Sequence, residues 1–165
     1  MTDDIVKFIE AQLAEDEAGA LDAAAFYDND PEDVTWRVDE GVNENGFKRA
    51  WLVPHLGVIN DPASAHHMVR HSPARVLADV KAKRVILAEV LSWQHAYIDG
   101  DTWLSCAQAV SVFGEDGTPG SGCADEGRAG GPCDCGLDRR RATMLNALAA
   151  GYAGRPGFKD EWRLP

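Results

Sequence analysis

The chain contains no long apolar run, and a membrane-spanning helix needs about 20 apolar residues in succession. No span is expected. The first ten residues, MTDDIVKFIE, lack the basic region, apolar stretch and small-residue cleavage site of a secretory signal, so a cytoplasmic location is expected. The sequence also has no nucleophile elbow, phosphate-binding glycine loop, dinucleotide fingerprint or H-E-x-x-H pair. The glycines of 114–136 neither follow a clear strand nor open a helix in the register that nucleotide binding requires. Basic residues are scarce where acids are dense. Residues 1–44 hold 14 Asp or Glu against Lys7 and Arg37, while the rest of the chain is close to neutral. Such a field disfavours nucleic acid or an anionic membrane as a direct ligand and favours a basic protein partner, if any; solubility alone is the plainer account. Arg139, Arg140 and Arg141 form the one basic cluster, too small for a nucleic-acid footprint without support.

The most legible stretch runs from Asp61 to Ile98. Asp61-Pro62 and Ser72-Pro73 are two helix starts of one kind: a short polar side chain that can accept from free backbone N–H groups precedes a proline at the first helical position. The first helix must end near His71, because a residue before Ser-Pro is pushed toward extended geometry. From Pro73, Leu77, Val80, Leu87 and Leu91 recur at helical spacing, and Val76, Ile86 and Val90 widen the face into a stripe. Asp79, Lys81, Lys83, Arg84 and Glu89 fall mostly on the other, solvated side.

Upstream, Thr2 or Asp3 caps an alanine-rich helix predicted to run to about Phe26, with Ile5, Phe8, Ile9, Leu13, Ala20 and Leu21 inward. The period then changes to two. Val34, Trp36 and Val38 alternate with polar residues as a short strand, Gly41 to Gly46 supply a turn, and Arg49–Val53 with Gly57–Ile59 read as one or two further strands broken at Pro54. Trp36 and Trp51 are expected to cover the helical layer. Downstream, Asp99-Gly100-Asp101 is a turn, and Trp103–Phe113 fits either a short helix or a strand. Residues 114–136 are rich in glycine and poor in large apolar side chains, and a loop of this length is either disordered or held by something other than an oily core. A last helix is expected over about Asp138–Tyr152, with Met144, Leu145, Leu148 and Tyr152 inward. Arg139–Arg141 at its start oppose the helix dipole and are expected to meet acids from elsewhere, the N-terminal segment included. Phe158 and Trp162 are expected to fold the tail back.

The chemistry-bearing residues lie in and around that loop. Cys106, Cys123, Cys133 and Cys135 follow the pattern C-x16-C-x9-C-x-C. Four thiolates can close a tetrahedral zinc site, and zinc would explain how a glycine-rich loop is ordered. The pattern lacks the paired C-x2-C knuckles of common zinc fingers, so reduced thiols without a ligand remain a competing reading, with a disulfide formed on oxidation a third. His95, or a histidine such as His67 or His71, could replace Cys106. A second possibility is a metal shared by His67 and His71. A hydrolytic site would need a third ligand and a carboxylate base such as Asp61 or Asp79, and satisfied surface histidines are the plainer account.

The block HHMVRHSPARVLADVKAKRVIL (66–87), with LNALAAGYAGRPGFKDEW (145–162), resembles a family of small uncharacterised proteins from actinobacteria and their phages, known as a domain of unknown function. His71, Pro73, Ala74, Arg75, Val76 and Leu77 match its first block, and Leu148, Ala149, Tyr152, Ala153, Pro156, Phe158 and Trp162 its second. The resemblance is missing over 99–136. It implies cysteines before the last helix, in keeping with a metal site. Arg155 stands where the family pattern tends to have histidine, so no ligand is carried over there, and the family brings no reaction.

The expected fold is α+β and mostly α: one domain over 1–165, a small helical bundle with a short antiparallel β-hairpin and a glycine-rich cysteine loop. Within it, 1–44 carry the acidic helix and first strand, 45–98 the hairpin and central helices, 114–136 the loop, and 137–165 the last helix and tail. The expected function is a non-enzymatic intracellular protein-interaction module with a structural zinc site. The alternatives are an acidic nucleic-acid mimic that inhibits a DNA-binding protein, and a metallohydrolase using the histidines of 66–71.

Overall fold

The computed structural model describes residues 2–25, 36–42, 45–46, 48–53, 57–59, 62–98, 104–110 and 131–164, with the backbone alone at 48–49, 51–53, 57–59 and 110. The elements in order are α1 (Thr2–Ala25), β1 (Arg37–Val42), β2 (Lys48–Val53), β3 (Gly57–Ile59), α2 (Pro62–Arg70), α3 (Pro73–Ser92), α4 (Ala107–Val110), α5 (Leu137–Ala150) and a final 3-10 turn, Asp160–Trp162. The fold is thus α+β and mostly α, as expected from the sequence. The chain groups into two compact units, Lys7–Val85 and Met1–Val6 with Ile86–Pro165. The division falls inside α1 and inside α3, so no linker composition marks it.

In the first unit, three strands form an antiparallel sheet in the order β1-β2-β3. β1 pairs β2 from Arg37↔Val53 to Val42↔Lys48, and β2 pairs β3 from Ala50↔Ile59 to Leu52↔Gly57. The hairpin therefore carries a third strand, and Pro54, where the sequence suggests a break, lies outside the described residues. β1 runs later than the alternation at 34–39 suggests: Gly41 and Val42 belong to the strand, and only Asn45 and Gly46 show turn geometry among the described residues of that connection. Gly46 has φ of 81°, a left-handed value that favours glycine. One cluster of this unit's core joins the sheet to α2. Ala50 of β2 and Ala65 of α2 are fully buried, with Val38 and Val69 beside them. Alanine on both sides lets a helix approach a sheet closely. Trp36 is half-buried, and the side chain of Trp51 lies outside the described residues.

The two proline starts behave as local chemistry dictates. α2 closes with His71 N–H donating to Met68 O and Ser72 N–H to Val69 O, and α3 opens with Val76 N–H donating to Ser72 O at 3.0 Å. Asp61 lies outside the described residues. Along α3, Val80, Leu87 and Val90 are buried, but Ile86 and Leu91 are exposed, so the buried stripe is narrower than the sequence spacing indicates. On α1, Ile5, Phe8, Ile9, Leu13 and Ala20 face inward as expected, whereas Leu21 is exposed and Ala24 takes the inward position a turn after Ala20.

In the second unit, Leu137, Leu145, Ala149, Tyr152 and Trp162 are buried, and the tail is held by Trp162 and by the edge-to-face approach of Phe158 to Trp162, 5.9 Å between ring centres. Met144 is exposed rather than inward. Lys159 forms an ion pair with Asp4 at 2.9 Å. Arg141 donates to the backbone carbonyls of Val90 and Trp93 at the end of α3 rather than, among the described residues, to a carboxylate. A guanidinium there satisfies carbonyls that have no intrahelical partner, so Arg141 meets a helix end rather than an acid.

Candidate metal centre

Three short segments of the second unit come together around the cysteines. The first follows α3 and carries His95. The second leads into α4 and carries Cys106; it is stitched to the first by Cys106 N–H donating to Ala96 O at 2.7 Å. The fully buried Ser105 hydroxyl accepts from Ile98 N–H at 2.8 Å and donates to Ile98 O at 3.2 Å. The third, 131–136, carries Cys133 and Cys135. It is joined to the second by Ala107 N–H donating to Asp134 Oδ1 and by Gln108 Nε2 donating to Gly131 O at 2.7 Å. Gly136, with φ of 77°, then turns the chain into α5. None of these contacts needs a large apolar side chain.

The result is a cage of three sulfurs and one imidazole nitrogen. Cys106 is buried; Cys133, Cys135 and His95 are half-buried. His95 Nδ1 lies 3.4 Å from Cys106 Sγ and 3.7 Å from Cys135 Sγ. Cys133 Sγ lies 3.9 Å from Cys106 Sγ and 3.5 Å from Cys135 Sγ. All four ligand atoms lie within 4.8 Å of one another. Bond lengths of about 2.3 Å to sulfur and about 2.0–2.1 Å to nitrogen imply tetrahedral edges of about 3.8 Å between sulfurs and about 3.6 Å from sulfur to nitrogen. The four separations of 3.4–3.9 Å lie close to these edges, so the cage is compatible with one zinc ion. Sulfurs at these separations are free thiols, not a disulfide.

The local field suits the thiolate at two of the three cysteines. Backbone N–H groups of Asp138 and Leu137, at the open start of α5, hold the Cys133 thiol below its ordinary range against a smaller opposing effect of burial. Burial pushes Cys106 up, but hydrogen bonds from the backbone of Cys135, Gln108 and Asp134 together outweigh it and the net direction is down. Cys135 is pushed up, first by burial and further by its two thiol neighbours. A dication at the centre would favour all three thiolates at once.

Of the residues singled out from sequence, Cys106, Cys133 and Cys135 are therefore brought together, and His95 stands beside Cys106 rather than in place of it. Cys123 lies outside the described residues. His67 and His71 belong to the other unit and take no part in the cage. Their rings stack on each other, 4.7 Å between centres. His66 Nε2 pairs with Glu40 Oε1 at 2.8 Å, and Asp79 is taken by Lys83 at 2.7 Å. Among the described residues the cage is the one group of three or more side chains able to hold a metal ion. A cavity of about 120 Å³ in the same unit, lined by Ile5, Leu145 and Trp162 with Thr2, Asn146 and Glu161 among its rim, contains neither cysteine nor histidine.

Sequence reasoning misses Asp138. Its carboxylate Oδ1 lies 3.5 Å from His95 Nε2, on the far side of the ring from the sulfurs. Acids in first helical turns are common, so the sequence alone carries no signal for it.

Fold and site together define a small, mostly helical α+β protein with a Cys3His cage positioned to hold a metal ion and compatible with zinc. The chain belongs to DUF6221, a family of unknown function, which it matches over residues 2–164. This is consistent with the resemblance carried by residues 66–87 and 145–162. No curated protein and no solved structure matches the chain. Among the described residues, no helix is long and apolar enough to cross a membrane.

Proposed function

We propose that the protein is a non-enzymatic intracellular protein-interaction module whose cysteine cage is a structural zinc site. The observation that carries this reading is the Cys3His cage itself. Four protein ligands fill a tetrahedron and leave no open position for water or substrate, the mark of structural rather than catalytic zinc. Reduced thiols fit an intracellular setting. The interaction role draws support from apolar side chains beside the ligands: Tyr97, Ile98 and Leu104 are all exposed, on the two segments that carry His95 and Cys106. The acidic N-terminal segment favours a basic partner.

The acidic-mimic reading gains less. Asp4 and Glu17 are engaged by Lys159 and Arg84. Asp3, Glu10 and Glu17 lie along one flank of the buried face of α1 and Asp4, Glu15 and Asp22 along the other, which is not a single phosphate-like row. The hydrolase reading has His66 and Asp79 committed to other partners.

Elemental analysis of protein kept reduced and free of chelator is expected to give one zinc per chain. Protein purified in this way without stoichiometric metal would overturn the zinc reading.

A further inference from the structure

His95 presents its two nitrogens to different neighbours. Nδ1 faces the sulfurs of Cys106 and Cys135, and Nε2 faces Asp138 Oδ1 at 3.5 Å. An imidazole that binds metal through one nitrogen must carry its proton on the other, and that N–H needs an acceptor. The carboxylate of Asp138 is such an acceptor, placed across the ring from the cage. Asp138 is the second residue of α5, directly after the turn that follows Cys135.

We infer that Asp138 is a positioning residue of the metal centre: its carboxylate fixes His95 with the proton on Nε2 and the free lone pair of Nδ1 toward the three sulfurs. This rests on reading the cage as a metal site. It goes beyond that reading by naming the residue outside the ligand set that tunes it. Carboxylate–histidine–metal arrangements orient the ring and raise its basicity, and loss of the carboxylate weakens metal affinity by about 10- to 100-fold. An acid in the first turn of a helix also favours the helix itself through the dipole. A purely helix-stabilising Asp138 would lower thermal stability with and without metal, yet leave the ligating nitrogen of His95 unchanged.

The experiment compares the full chain with Asp138→Asn and Asp138→Ala, each loaded with zinc and titrated against a chromophoric chelator. Nitrogen-resolved NMR of the histidine rings gives the second readout. The wild type is expected to bind one zinc, with His95 ligating through Nδ1 and a slowly exchanging proton on Nε2. Asp138→Ala is expected to keep the stoichiometry, lose about 10- to 100-fold in affinity and lose the protected proton. Asp138→Asn, whose amide oxygen still accepts from Nε2, is expected to fall between. Wild-type affinity and an unchanged His95 pattern in both variants would overturn the inference and leave the zinc site standing. A wild-type chain that takes no zinc would overturn the zinc reading first, and the positioning role with it.

Discussion

In the unit formed by Lys7–Val85, a sheet and a short helix close over two fully buried alanines. In the unit formed by Met1–Val6 and Ile86–Pro165, three thiols and an imidazole converge where segments 93–98, 104–110 and 131–136 meet. In the first, the sheet and α2 are held by strand pairing and by small side chains that let them approach closely, while Phe8, Ile9, Leu13 and Val80 are buried elsewhere in the unit. The second holds its segments by backbone and side-chain hydrogen bonds between them and by the geometry of the cage. The difference teaches that short segments can be brought together by satisfied backbone and side-chain hydrogen bonds, around side chains positioned to hold a metal ion.

Removing the metal should separate the two units most sharply. Structural zinc in small peptides carries an apparent binding free energy of about 10–16 kcal/mol, so its loss is the largest effect expected. Chelation of the zinc-loaded chain is expected to abolish amide-exchange protection around Ala96, Cys106 and the start of α5 while the β1–β2 ladder keeps its own. Equal loss of protection in the ladder would break the comparison.

A smaller effect is expected from the other side. Ala65 is fully buried against Ala50, and Ala65→Leu inserts a side chain where none fits, at a cost of about 1–3 kcal/mol in urea unfolding. Zinc stoichiometry should not change. An Ala65→Leu variant as stable as the wild type would mean that the helix and sheet are not in close contact through these alanines.

The smallest effect concerns the ion pair that ties α1 to α3 within the sheet unit. Both carboxylate oxygens of Glu17 accept from Arg84, at 2.8 and 2.7 Å. Hydrogen bonding to Arg84 holds the Glu17 carboxyl below its ordinary range. A depressed folded-state value stabilises the fold above the ordinary glutamate range, and that contribution disappears as the pH falls through the depressed value. The wild type is therefore expected to exceed Glu17→Gln slightly at neutral pH and to converge on it in acid. Both groups are open to solvent, so added salt should shrink the difference. A gap that persists in acid would assign the effect to packing rather than charge.

Local chemistry in the sequence is enough for the helices. Asp61-Pro62 and Ser72-Pro73 announce α2 and α3 because capping and the constraint before proline act over a few residues. The apolar spacing of Ile5, Phe8, Ile9 and Leu13 announces α1 in the same way. Strand limits are less legible, since β1 extends to Val42 through pairing with Lys48, a partner that a period-two pattern does not name. Exposed Ile86, Leu91 and Met144 show the same limit from another side. Helical spacing says which residues share a face, but not how much of that face finds a partner.

Cysteine content and the lack of oily residues in 114–136 make a metal one reading from sequence alone, beside unliganded thiols, because thiolates can order a stretch that has no oily core. Membership of the cage is a different matter. Cys106 and Cys133 are 27 residues apart and Cys135 and His95 are 40 apart, and no spacing rule links them. Only the tertiary fold brings the end of α3 beside the start of α5, through the carbonyls to which the Arg141 guanidinium donates, and so turns His95 toward the sulfurs and Asp138 toward His95. Ligand chemistry is a property of residue types, which the chain spells out. Ligand geometry depends on contacts between segments distant along it, and those exist only once the chain is folded.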